Sequence, residues 1–230
     1  MHYFFGNIHM QNIKHQAINE EFVEQLYNPQ ASGLEILGQH INMEKLVAIN
    51  QFIHENNHKF EEKREKYIQN NQKVALLYRG GFDTSALEET IFKDLLDTYK
   101  QIRGEIASHS AIPFEQGNSL EVKLIYYPIS ELGVGIHKDL SSNVNLIVFF
   151  NLEGSSDVKT YSSKDGQNPV SHPITQGDIS LMRGPRLNEA IDIRPYHAVE
   201  EVYEPRTVMV IREINEELEQ LTNKDNWRGF

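Results

Sequence analysis

Arg206-Thr207-Val208-Met209-Val210-Ile211-Arg212 reads as a β-strand that is apolar on both faces. Side chains alternate along a strand, so Val208 and Val210 lie on one side with Arg206 and Arg212, while Met209 and Ile211 lie on the other. The run Asn145-Leu146-Ile147-Val148-Phe149-Phe150-Asn151-Leu152 has the same texture. A strand buried on both faces needs a layer above and a layer below. From residue 120 onward, short strands read at 121–127, 135–138, 145–152, 158–162, 179–182, 191–202 (interrupted at Pro195) and 206–213, parted by Gly, Asn, Asp and Ser turns. That rhythm predicts a sandwich or barrel, which supplies one of the two layers.

The first half supplies the other. Leu46, Ile49, Ile53, Phe60 and Tyr67 recur at helical spacing and predict one long helix over 43–69, with 59–66 as a charged, solvated face. A short strand is expected at 73–78, closed by Arg79-Gly80-Gly81. A second helix is expected to open at Thr84 or Ser85 as N-cap, with Glu88 following, and to run towards Ala107. The expected organisation is a single α+β domain. Residues 1–119 form a helical extension packed on one sheet, 120–215 the β core and 216–230 a polar tail.

Composition excludes several functions. Among 230 residues, 22 Lys and Arg face 33 Asp and Glu, a net charge of −11, which disfavours broad nucleic-acid binding. There is no cysteine, so disulfides, thiolate metal sites and a cysteine nucleophile are excluded. Mean hydropathy is −0.51, and no apolar run approaches the roughly 18 residues of a membrane span. Residues 1–11 lack the pattern of a secretory leader. The expectation is a cytoplasmic protein with no membrane partner.

Two metal patterns compete. His54-Glu55-Asn56-Asn57-His58 fits H-E-x-x-H on a predicted helix, the zinc-peptidase arrangement. The continuation Lys59-Phe60-Glu61-Glu62 offers neither the glycine nor the third histidine of an extended site, and nothing marks Glu88 or Glu89 as a third ligand. The pair is read as surface histidines. The second pattern is His137-Lys138-Asp139 with His197. Two apart in a predicted strand, His137 and Asp139 share a face. His197 lies in a later strand, and Arg206 follows nine residues after it.

This order, H-x-D, then a distal His, then an Arg, resembles the iron(II)/2-oxoglutarate-dependent oxygenases, over about residues 120–215. Tyr126-Tyr127-Pro128 looks like the tyrosine-bearing strand of that family, and Gly177-Asp178-Ile179-Ser180-Leu181-Met182 like its turn and strand before the distal histidine. Arg206 and Arg212 have the R-x5-R look of the AlkB-like branch. The resemblance implies a double-stranded β-helix, a jelly roll related to the cupins. It implies Fe(II) on His137, Asp139 and His197, with 2-oxoglutarate and O2 in the three open positions. It implies decarboxylation of the cosubstrate to succinate, coupled to hydroxylation or oxidative demethylation of a substrate. Arg206 is expected to grip the distal carboxylate of 2-oxoglutarate, since a guanidinium fork suits it bidentately. Tyr127 is expected to hydrogen-bond the cosubstrate, with Tyr126 facing away. Arg212 is expected to reach the metal end or to form a structural ion pair.

Arg183, Arg186 and Arg194 stand within 12 residues of an acidic chain, on the approach to His197. One reading is rim salt bridges with Glu189 and Asp192. The other is a grip on an anionic group, with Gly184-Pro185 fixing the loop, and it favours a small carboxylate-bearing molecule or a peptide over a long nucleic acid. A zinc peptidase through His54 and His58, or a jelly-roll ligand-binding module without turnover, are the alternatives.

Overall fold

The computed structural model describes residues 17–39, 41–56, 61–63, 72–80, 87, 90–110, 114, 119–185 and 192–220. In chain order the elements are α1 (Glu20–Tyr27), β1 (Leu34–Gln39), α2 (Met43–Glu55), β2 (Glu61–Lys63), β3 (Gln72–Gly80) and α3 (Lys93–His109). Then come β4 (Ser119–Tyr127), β5 (Ser130–His137), β6 (Asn143–Glu153), β7 (Ser156–Tyr161), β8 (Val170–Ile174), β9 (Asp178–Arg183), β10 (Tyr196–Val202) and β11 (Arg206–Ile214). Two antiparallel sheets form, one ordered β1-β9-β6-β11-β4-β3-β2 and the other β5-β10-β7-β8. This is the mostly antiparallel double-stranded β-helix, with helices on one face of the larger sheet.

The double-faced strands sit where their composition demands. On β11, Met209 and Ile211 join a core with Leu46 and Ile49 of α2 and Leu96 and Tyr99 of α3. Val208 and Val210 face the other way, into a second core shared with Val158 and Val199 of the smaller sheet. On β6, Leu146, Val148 and Phe150 belong to the helical side and Ile147 to the inter-sheet side. Asn side chains start two of the helices: Asn19 accepts from Phe22 N–H at 2.9 Å, and Asn42 from Glu44 N–H at 2.8 Å.

A buried polar knot fixes α3 to the sheet. Glu213 on β11 is fully buried, and its carboxylate accepts from Arg103 Nε at 2.6 Å, Tyr99 Oη at 3.1 Å and Asn145 Nδ2 at 2.7 Å. Burial, then the neighbouring Glu213 charge, pushes the Tyr99 hydroxyl well above its ordinary pKa, which keeps it a donor.

Several expectations are corrected. The helix expected over 43–69 stops at Glu55. The N–H of Asn56 closes the last turn onto Phe52 O and Ile53 O, and residues 61–63 turn instead into β2, paired with β3. The second helix is described over Lys93–His109, behind a turn in which Thr90 Oγ1 donates to Leu87 O, and Leu87 itself is helical. Thr84, Ser85, Glu88 and Glu89 lie outside the described residues, as do Phe60 and Tyr67. The strand expected from 191 starts at Tyr196, after Pro195, and Ile191 lies outside the described residues. Residues 1–119 are also more than a helical cover, because β1, β2 and β3 all join the larger sheet.

Candidate metal centre and cavity

The cavity lies between the sheets, with a volume of about 750 Å³. Its walls carry both the inter-sheet core and the H-x-D constellation. His137 and His197 are direct cross-strand partners of β5 and β10, so one register places both imidazoles side by side, with ring centroids 4.2 Å apart. β5 ends at His137, and Asp139 lies two residues beyond, outside the strand. The shared-face argument from strand parity therefore does not apply to Asp139. The chain turns there, and Arg194 Nη1 donates to the Asp139 carbonyl at 2.5 Å. One ligand atom from each of His137, Asp139 and His197 lies within 4.8 Å of the others, the sole such cluster among the described residues.

Electrostatics tune these groups as a metal site needs. Nδ1 of His137 faces Gly135 O at 2.8 Å, and Nδ1 of His197 faces Pro195 O at 3.3 Å. Both rings then donate from Nδ1 and present the lone pair of Nε2. Burial, with His137 beside it, pulls the His197 pKa down to about 4, so its imidazole is neutral at neutral pH. Burial pushes the Asp139 carboxyl up, but Arg212 first and then His197, His137 and Arg194 outweigh it and hold the pKa below the usual value. Asp139 Oδ2 is buried with no hydrogen-bond partner. Two imidazoles and an anionic oxygen left without a hydrogen bond fit a first-row divalent cation.

The inner face of β11 carries both arginines. Arg212 sits at the metal end: Nη2 is 3.5 Å from Asp139 Oδ1, Nη1 is 3.5 Å from Glu121 Oε1, and Nε is buried without a partner. Arg206 lies at the other end of the strand and is only 2 % exposed. Its Nε donates to Asn151 Oδ1 at 2.6 Å, and its Cζ sits 5.2 Å from the centre of the Tyr127 ring. Among the described residues no acid forms an ion pair with it, and burial lowers its pKa. Tyr127 is its cross-strand partner on β4 and lines the cavity, while Tyr126 does not.

The arginine cluster before His197 is dispersed. Arg183 is buried, and its guanidinium donates to the backbone carbonyls of Ile193, Leu26, Asn28 and Ala31. It ties α1 to β9 and has no face for a substrate, which corrects the expectation for that residue. Gly184 and Pro185 are stitched to β6 instead of presenting a loop: Gly184 N–H donates to Asn145 O, and Asn145 N–H to Pro185 O. A side chain at Gly184 would come within 2.6 Å of Asn143 O, so glycine is required by that close approach. Arg194 forks onto Asp192, with Nε at 2.8 Å from Oδ1, and steadies the Asp139 backbone. Arg186 and Glu189 lie outside the described residues. Of the H-E-x-x-H pattern, His54 faces Glu153 at 3.1 Å and Glu55 accepts from Gln51, while His58 lies outside the described residues.

The residues that sequence reasoning missed are Arg79, Glu121 and Lys123, which line the cavity near Arg212. For Arg79 the missing signal is a bulge in β3. The register breaks between Leu76 and Tyr78, so both Leu77 and Tyr78 pack towards the helices and Arg79 returns to the cavity side.

No family model and no curated protein matches the sequence. Solved structures do match. A prolyl hydroxylase from Trichoplax adhaerens, in complex with a hypoxia inducible factor oxygen degradation domain peptide fragment, aligns over 88 % of this chain and 93 % of its own, at TM-score 0.61 and 17 % identity. A Pseudomonas putida prolyl-4-hydroxylase aligns over 84 % and 98 %, at TM-score 0.59 and 11 % identity. The dioxygenase for auxin oxidation 1 of Arabidopsis thaliana, in a complex with 2-oxoglutarate, aligns over 85 % and 88 %, at TM-score 0.58 and 11 % identity. The chain shares the double-stranded β-helix fold with these solved structures.

Proposed function

We infer that this protein is an Fe(II)/2-oxoglutarate-dependent dioxygenase that hydroxylates or oxidatively demethylates a small carboxylate-bearing molecule or a peptide. The observation that carries this reading is the pairing of two unsatisfied features in one cavity. One is the buried Asp139 oxygen without a hydrogen bond, on a carboxylate grouped with the His137 and His197 imidazoles. The other is the buried Arg206 guanidinium without an acid. A divalent cation answers the first and a dicarboxylate the second.

His137, Asp139 and His197 would hold the iron, which when bound supplies open positions for 2-oxoglutarate and O2 and the oxidation that yields succinate. Arg206 takes the distal carboxylate of 2-oxoglutarate, with Tyr127 beside it and Asn151 fixing the plane of the guanidinium. Arg212 holds Asp139 in place and offers its unpartnered Nε to the cosubstrate. Arg194 keeps the Asp139 backbone from drifting. The inter-sheet valines and Met182 keep water out around the reacting end.

The test is an anaerobic titration with Fe(II) and 2-oxoglutarate, followed by oxygen exposure and a succinate assay. The expected result is one metal and one 2-oxoglutarate per chain, with succinate formed after oxygen. Saturable 2-oxoglutarate binding without succinate, across a substrate screen, would instead support a jelly-roll binding module. Zinc with peptide cleavage would support the peptidase.

A further inference from the structure

Glu121 on β4 is buried and stands among three cations of the larger sheet's inner face. Lys123 Nζ is 2.7 Å from it, Arg212 Nη1 is 3.5 Å away and Arg79 Nη1 is 3.7 Å away. Arg79, Glu121 and Arg212 are cross-strand neighbours on β3, β4 and β11, and Arg212 in turn meets Asp139. The row ends at the candidate metal centre, with Arg79 about 10 Å from Arg212 across two strand spacings. Arg79 already carries a second carboxylate. Glu219, on the helical turn that Asn215 caps after β11, forms an ion pair with Arg79 Nη2 and lines the same cavity.

Beside these charges the cavity mouth is apolar. Leu76 is the cross-strand partner of Lys123 and is 56 % exposed, and Leu140, directly after Asp139, is 50 % exposed. Two large, solvent-facing leucines on a cavity rim mark a surface that gains by being covered. The β3 bulge is what sets Arg79 beside Leu76 on this wall.

We propose that Arg79, Lys123, Leu76 and Leu140 form the prime-substrate site, and that it selects an amphipathic carboxylate whose acid group displaces Glu219 from Arg79 while its apolar body covers the two leucines. The site rests on the oxygenase reading only for what happens to the ligand afterwards. Binding itself needs no metal. A carboxylate is favoured over a phosphate because a carboxylate, that of Glu219, already occupies Arg79. A long polyanion has no counterpart in so short a cationic row.

The test is calorimetric titration of the full chain with octanoate, acetate and octan-1-ol, each with 2-oxoglutarate saturating. Octanoate should bind at least tenfold more tightly than acetate, which lacks the body, and than octan-1-ol, which lacks the charge. R79Q/K123Q should weaken octanoate at least tenfold, and E219Q should tighten it several-fold. Arg79 and Lys123 lie at the rim, and a thermal melt checks that the double variant is folded. R206Q and the parent, both titrated without 2-oxoglutarate, should bind octanoate through Arg79 and Lys123 alike. Octanoate binding no tighter than acetate or octan-1-ol overturns the substrate class. Binding lost in R206Q but kept in R79Q/K123Q overturns the site. An unchanged affinity in E219Q, with its fold checked by the same thermal melt, overturns the displacement. If octanoate follows Arg79 and Lys123 yet no succinate is ever made, the recognition site stands and the oxygenase reading falls.

Discussion

His137, Asp139 and His197 differ in how they are held, and their substitutions should differ accordingly. The histidines are fixed by a strand register and by carbonyls on Nδ1. Asp139 is held by two arginines. Alanine at any of the three should abolish stoichiometric Fe(II) binding in an anaerobic titration while the far-ultraviolet spectrum is kept; full occupancy in His197→Ala would exclude it as a ligand. Arg206 is the sharper case, because a buried cation without an acid makes the empty protein less stable than the filled one. Saturating 2-oxoglutarate at about a hundred times its Kd should therefore stabilise the fold by roughly 2.7 kcal/mol, visible as a rise in melting temperature. Arg206→Ala should weaken cosubstrate binding by about 1.5–3 kcal/mol. The assignment fails if Arg212→Ala loses the thermal shift and Arg206→Ala keeps it. Arg183 belongs to the fold. Arg183→Lys, which cannot reach four carbonyls from one ammonium, should cost about 1–3 kcal/mol in denaturant unfolding.

Among the elements, α3 and β11 are joined by more than apolar packing. Glu213 is an ionisable group at the centre of a buried face, with three donors converging on it. Glu213→Ala strands all three and should lower unfolding stability by about 3–5 kcal/mol in urea. Glu213→Gln keeps the shape and should cost less; equal stability of wild type and Glu213→Ala would show the knot to be idle. The period of the apolar residues made β6 and β11 legible as double-faced strands, because alternation is a local property. The lengths of the helices were not legible. Apolar spacing beyond Glu55 still matched a helix, but the capping turn at Asn56 and the pairing of residues 61–63 with β3 competed for that stretch and won. β1 and β8 went unread for a related reason: neither carries a clean alternation, and each is defined by the strand it joins, β9 and β7.

For the molecule as a whole, the competition between the two histidine patterns is a matter of topology. His54 lies on the exposed side of α2 beside Glu153, on the far side of the larger sheet from the cavity. A His54/His58→Ala double variant should keep the metal content and succinate formation of the parent; stoichiometric zinc that vanishes in that variant would restore the peptidase reading. The sequence by itself determined the sandwiched sheet and the cover of helices, because both follow from the local period of the apolar residues, and it put His137, Asp139, His197 and Arg206 forward as candidates through the order in which they occur. It did not determine what surrounds them. Asp139 comes to the histidines through a turn beyond the strand, Arg183 is drawn inward by carbonyls far away in sequence, and Arg79 reaches the cavity through a one-residue bulge. Each of these is decided by which strand lies next to which, and such long-range pairings are fixed by the closing of the whole core, which no local pattern in the chain records.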